Sequence, residues 1–166
     1  MTPFVLQCGT PPIPISLTDV PVTPASTVPT NDECESLFST VGTVSDPRVI
    51  VLGDDASLAA LLTRLMRTER LHIEVAFVPE HATTASHIYK TGTGSRAAKV
   101  AMTGTAKPLP LIRDDAGVAV VGRAVVKGPS GAPLEGEAYV DDTQLFRGDA
   151  TGVEVRLTRP DGLMTY

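Results

Sequence analysis

The plainest pattern of apolar and polar positions begins at Pro47. Arg48-Val-Ile-Val-Leu52 is a continuous apolar run of strand length, and Gly53 breaks it. Leu58, Leu61, Leu62, Leu65 and Met66 then recur at helical spacing, with Arg64, Arg67, Glu69 and Arg70 mostly off the stripe. This predicts an amphipathic helix over residues 57–71. A second apolar run, residues 72–78, stops at Pro79. Strand, helix and strand, with both strands of the buried type, predict a parallel crossover unit.

Either side of this unit the pattern weakens. Residues 80–94 are polar and read as a loop; residues 95–103 read as a short helix, with Ser95 as N-cap and Gly104 closing it. The remainder is β in character. Residues 109–113, a turn at Asp114-Asp-Ala-Gly117 and the apolar stretch 118–127 imply a hairpin, Gly128-Pro-Ser-Gly131 is a further turn, and residues 137–140 and 153–158 are later strands. The C-terminal third is therefore expected to pack as antiparallel strands. Before Pro47, Phe4-Val-Leu-Gln-Cys8 reads as a short strand, and the prolines at 11, 12, 14, 21, 24 and 29 leave only edge or loop structure after it. Residues 33–41 read as a helix capped by Asn31 or Asp32, with Leu37, Phe38 and Val41 on one face.

Composition changes the picture chiefly at the N-terminus. Residues 1–47 hold five acids and no Lys or Arg, together with 8 Pro, 8 Thr and 5 Ser, so the whole formal charge of -5 sits there. Such a stretch has little apolar surface to offset chain entropy, and it is expected to be a partly ordered arm. The expected organisation is an arm over 1–47, an α/β unit over 48–115 and a β-rich part over 116–166 packed on it, in one compact domain. The apolar runs are too short to cross a bilayer. Only 4% of the residues are aromatic and Trp is absent, which argues against a base-stacking surface, and with excess acid no nucleic-acid partner is expected. Cys8 and Cys34 have neither metal-site spacing nor His neighbours and read as two separate thiols. With no charged segment followed by an apolar one at the start, a cytoplasmic location is expected.

Candidate chemistry collects at three places. Gly53-Asp54-Asp55-Ala56-Ser57 joins the apolar strand to its helix, where unpaired amides and the positive end of the dipole favour an anion. Its two carboxylates would repel a bare phosphate unless a divalent cation bridged them, or else they only cap the helix. Asp141-Asp142 is a second carboxylate pair, able to serve as base or metal ligand, or simply as a turn. His72, His81 and His87 lack metal-ligand spacing, and Thr91-Gly-Thr-Gly94 lacks the lysine of a phosphate-binding loop and reads as a flexible turn.

In order and spacing these pieces resemble the catalytic region of the diacylglycerol kinase and sphingosine kinase family. Val-Ile-Val-Leu-Gly53-Asp54-Asp55-Ala56-Ser57 stands where the family has an apolar strand and GGDGT. Val75-Ala-Phe-Val-Pro79, Ala82-Thr-Thr-Ala-Ser86, Arg96-Ala-Ala-Lys-Val-Ala-Met-Thr-Gly104 and Pro110-Leu-Ile-Arg113 follow in the family's order. Val140-Asp141-Asp142-Thr143 stands in the place of its DGE motif, whose Asp is the catalytic base. The resemblance implies an α/β fold like the N-terminal domain of diacylglycerol and NAD kinases, with a small antiparallel β appendage. It further implies nucleotide contacts at Gly53, Asp54, Asp55, Ser57, Thr83 and Thr84, Mg²⁺ at Asp54 and Asp55, and Asp141 as base.

The chain also departs from that pattern. Asp54 and Ala56 replace two glycines, Ala82-Thr-Thr-Ala-Ser86 replaces a Gly-Thr-Gly-Asn-Asp loop, and only 19 residues separate Val121 from Asp141, where the family inserts most of its lipid-binding sandwich. The expected function is therefore a non-catalytic or weakly active lipid-kinase-like protein that binds a nucleotide or lipid-like ligand or a partner. Two alternatives stand beside it: a small active kinase using ATP, ADP and Mg²⁺, and a homodimeric scaffold acting through its N-terminal arm or its exposed sheet edges.

Overall fold

A computed structural model describes residues 1–156. Among these residues the chain forms two compact units, the first being Met1–Gly122 and the second beginning at Arg123. The first unit is α/β. Four parallel strands, β1 (Thr2–Cys8), β2 (Val22–Ala25), β3 (Pro47–Leu52) and β4 (Glu74–Val78), lie in the order β2-β1-β3-β4. Helix α1 (Asn31–Val41) links β2 to β3 and α2 (Asp55–Arg67) links β3 to β4; α3 (Thr84–Ile88) and α4 (Gly94–Thr103) follow β4.

Strand alternation explains the layers. Phe4, Leu6, Cys8, Val49, Val51 and Phe77 point to one face, where Cys34, Leu37, Phe38 and Val41 of α1 and Leu58, Leu61 and Leu65 of α2 cover them. Val5, Ile50, Leu52 and Val78 point to the other, against Leu17 in the 3-10 turn Ile15–Leu17 and Ala97, Ala98 and Ala101 of α4. Right-handed crossovers require the covering face to change when the direction across the sheet reverses, and the chain does this after β2. At the amino end of the sheet Arg48, 5% exposed, is held by Glu74 (Nε–Oε2 2.7 Å) and by the carbonyl of Ala101 (2.7 Å), tying β3 to β4 and α4.

The N-terminal segment differs from the expected arm. β1 lies inside the sheet between β2 and β3, with Val5 and Leu6 fully buried, so the first 47 residues supply two of the four strands and α1. The four buried side chains of β1, Phe4, Val5, Leu6 and Cys8, have a layer waiting on either face, which composition averaged over 47 residues conceals. The prolines act as expected: Pro24 lies in β2, an edge strand, where a missing N–H costs no ladder bond on the outer side.

Helix boundaries also shift. α1 is capped by Thr30, whose Oγ1 accepts from the Glu33 N–H (3.3 Å) while Glu33 accepts from the Thr30 N–H (2.7 Å); Asn31 and Asp32 are inside the helix. α2 ends at Arg67 because Glu69 takes φ 59°, a left-handed conformation that stops the helix before Leu71. The polar segment after Pro79 contains α3. The hairpin is shorter than expected, β5 (Ile112–Arg113) against β6 (Ala119–Val120).

In the second unit β7 (Arg123–Val126) pairs antiparallel with β10 (Val153–Arg156), and β8 (Leu134–Val140) with β9 (Thr143–Ala150). The antiparallel C-terminal third is as expected, but its unit begins at 123 rather than 116, and the last two positions of the expected strand 153–158 lie outside the described residues. Among the described residues no helix is long and apolar enough to cross a membrane.

The α1 cap generates a pH dependence. Three donors, the Thr30 N–H, the Ser26 N–H and the Ser26 hydroxyl, hold the Glu33 carboxylate down to a pKa of about 2 from an ordinary 4.5. A depressed carboxylate stabilises the fold above its unfolded value and loses that contribution as pH falls from about 4.5 through about 2. Urea midpoints at pH 7 and pH 3 are expected to differ less in Glu33→Gln than in the wild type.

Candidate functional site

In a doubly wound parallel sheet, ligands bind beyond the carboxyl ends of the strands, where the strand order reverses. Here that point lies between β1 and β3, whose connections leave in opposite directions, and the residues beyond the two strands are Gly9 and Gly53. Gly53, Asp54, Asp55 and Ser57 are therefore at the edge where the sequence pattern expects them.

What they do there is structural. Asp54 is the N-cap of α2: its Oδ1 accepts from the Ser57 N–H (2.9 Å), and the Asp54 N–H donates to Ser57 Oγ (3.1 Å). Ser57 is fully buried, and its Oγ lies 2.7 Å from Asp54 Oδ1 and 2.8 Å from the Thr27 carbonyl, so its single proton serves one acceptor at a time. A Cβ on Gly53 would come within 2.6 Å of Ser57 Oγ and 2.9 Å of Cys8 Cβ. The glycine is thus required by Ser57 and Cys8 crowding the switch point.

Asp55 reaches sideways. Its Oδ2 accepts from the Ala85 N–H in the first turn of α3 (3.1 Å), while Oδ1 is buried and has no partner among the described residues. Burial, with the Asp55 charge adding to it, raises the Tyr89 phenol above its ordinary pKa. Thr83 caps α3, its Oγ1 accepting from the Ser86 N–H (3.0 Å) and its N–H donating to Ser86 Oγ (2.8 Å). Thr84 packs against Gly122, where an added Cβ would meet its Cγ2 at 3.1 Å.

Asp141 lies outside the first unit. It belongs to the second unit, in the two-residue loop that joins β8 to β9, with φ 50°. The expected base is an exposed hairpin-tip residue, and the six other expected site residues belong to the first unit, at the carboxyl edge of its sheet.

A magnesium–triphosphate group does not fit this edge. The anion position at the start of α2 is taken by the Asp54 carboxylate, Asp55 is engaged with Ala85, and the close approach that a glycine would allow is filled by Ser57 and Cys8. Among the described residues no three His, Cys, Asp or Glu side chains converge on a common point where a metal could sit.

One further segment lies at the same edge, a turn as its sequence predicts. Thr91-Gly-Thr-Gly94 folds onto the end of β4, the Gly94 N–H donating to the Pro79 carbonyl (2.8 Å), with φ 74° at Gly92 and 49° at Gly94. It leads straight into α4, whose N-cap position is Thr93, without a side-chain cap, rather than Ser95.

No family model matches the chain, and neither a curated protein nor a solved structure does.

The crowding at Gly53 sets the expected cost of changing it. Gly53→Ala should destabilise the fold by about 1–3 kcal/mol through overpacking against Ser57 and Cys8. Asp54→Ala should cost about 1 kcal/mol through loss of the cap; both are read from urea denaturation. Burial pushes the thiols of Cys8 and Cys34 up to about 11, so neither should react with a disulfide reagent at pH 8 until denaturant is added.

Proposed function

We propose that this protein is a non-catalytic binding or regulatory module on a lipid-kinase type of α/β fold, one that has lost phosphoryl transfer. The observation that carries this reading is the Asp54 carboxylate, bonded to the Ser57 amide at 2.9 Å, in the place a phosphate would take at the start of α2. An active phosphotransferase must bring a cradled phosphate, a metal-holding carboxylate and a base to one reacting centre. Here the phosphate position is self-filled and Asp55 is tethered to α3.

The resemblance to lipid kinases in the order of their motifs supports the kind of fold proposed, and the departures at Asp54 and Ala56 support the loss of activity. The protein then acts by holding a ligand or partner rather than by converting one.

Titration calorimetry with ATP and ADP in Mg²⁺ should give no binding heat at millimolar nucleotide, and radiolabelled ATP should transfer no phosphate to diacylglycerol or sphingosine. Asp141→Asn should leave both results and the stability unchanged. Micromolar nucleotide binding together with lipid phosphorylation that Asp141→Asn abolishes would establish an active kinase instead.

A further inference from the structure

None of residues 123–156 is buried, although this stretch holds four strands. Two-stranded sheets are marginal in water unless a further strand or layer supports them. Within the β8–β9 hairpin one face is apolar, with Leu134 opposite Ala150 and Ala138 opposite Phe146. The other face carries charge in an unbalanced register: Glu137 stands opposite Arg147, but Glu135 stands opposite Asp149. Like charges directly across a ladder are destabilising. Among the described residues neither Arg147 nor Asp149 makes an ion pair, and no strand pairs with the outer edge of β9.

We propose that the outer edge of β9 pairs with β9 of a second copy of this chain, antiparallel about a two-fold axis at Gly148, joining two hairpins into one four-stranded sheet. In that register Gly148 faces its symmetry mate, Phe146 faces Ala150 of the second copy, and Arg147 faces Asp149 of the second copy. The Asp149 that lies against Glu135 in its own hairpin thus gains a cation, twice per dimer.

The occupant follows from the order of charges. Arg147-Gly148-Asp149 is complementary to itself when reversed, so the strand that best fits this edge is the same strand from another copy. The outer edge of β8 does not share this property, because reversing Glu135-Gly136-Glu137 sets Glu against Glu. In β10, Glu154 is already engaged by Arg156 (2.9 Å) and Arg123 (3.3 Å). The pairing is short. The register shift between Ala138 and Tyr139 makes Leu145 an extra residue in β9, and Thr151-Gly152 ends the strand, which leaves residues 146–150 to pair. Pairing removes a free edge that otherwise invites non-specific association.

Sedimentation and light scattering of the full chain over a range of concentrations at low salt test this directly. The wild type should approach twice the 17.4 kDa chain mass as concentration rises. Asp149→Arg gives Glu135 an opposite charge within its own hairpin but sets Arg against Arg across the axis. Its dimerisation should be on the order of tenfold to a hundredfold weaker, with circular dichroism showing an unchanged fold. The double variant Arg147→Asp/Asp149→Arg keeps the order self-complementary and should recover the dimer. The proposal is overturned by a wild type that stays monomeric throughout, by a folded Asp149→Arg chain as dimeric as the wild type, or by a double variant that remains monomeric.

Discussion

The knot of Asp54, Ser57 and the Thr27 carbonyl is the interaction on which the first unit turns. One buried hydroxyl receives the Asp54 amide and lies within bonding distance of both the Asp54 carboxylate and the backbone beyond β2. It fixes where α2 begins, joins the ends of β2 and β3 across β1, and does so at the place where a parallel sheet normally admits a ligand. Ser57 has no exposure, so its polar atoms must be paired within the protein, and the partners it takes are the Asp54 amide, the Asp54 carboxylate and the Thr27 carbonyl.

From that knot the rest of the unit follows by two-sided burial. β1 and β3 are covered on both faces, which only a sheet with layers above and below allows, and the reversal of strand order after β2 supplies those layers. At the switch point Asp54 caps α2, and Asp55 tethers α3 through one of its two carboxylate oxygens. The second unit is built on the opposite principle: among its described residues none is buried, and its stability must come from ladder bonds and from whatever covers its apolar faces.

Much of this was legible along the chain, and the rest was hidden for physical reasons that particular residues show. The strand-turn-helix at 47–67 and the strand ending at Val78 are carried by continuous apolar runs and a stripe of period 3.6 that need no partner to be recognised. Pro24 announced an edge strand because a missing donor is a local fact. Thr30, Asn31 and Asp32 are all good caps in sequence, and only the reach of Glu33 back to the Thr30 amide chooses among them. α3 leaves no mark on the pattern because five residues are too few for a stripe, and its start is stabilised by Asp55, 30 positions earlier in the chain.

By itself, then, the sequence determined the type of each strongly periodic element, the turn after Leu52 and the self-complementary charge order of Arg147-Gly148-Asp149, because these depend on neighbours within a few residues. Tertiary structure alone decided that β1 is interior, that Asp55 reaches the Ala85 amide, and that Asp141 stands at a hairpin tip in another unit. A carboxylate looks the same in sequence whether it caps a helix, tethers a loop or waits for a metal; the donors that choose among these roles are brought to it only when the chain folds.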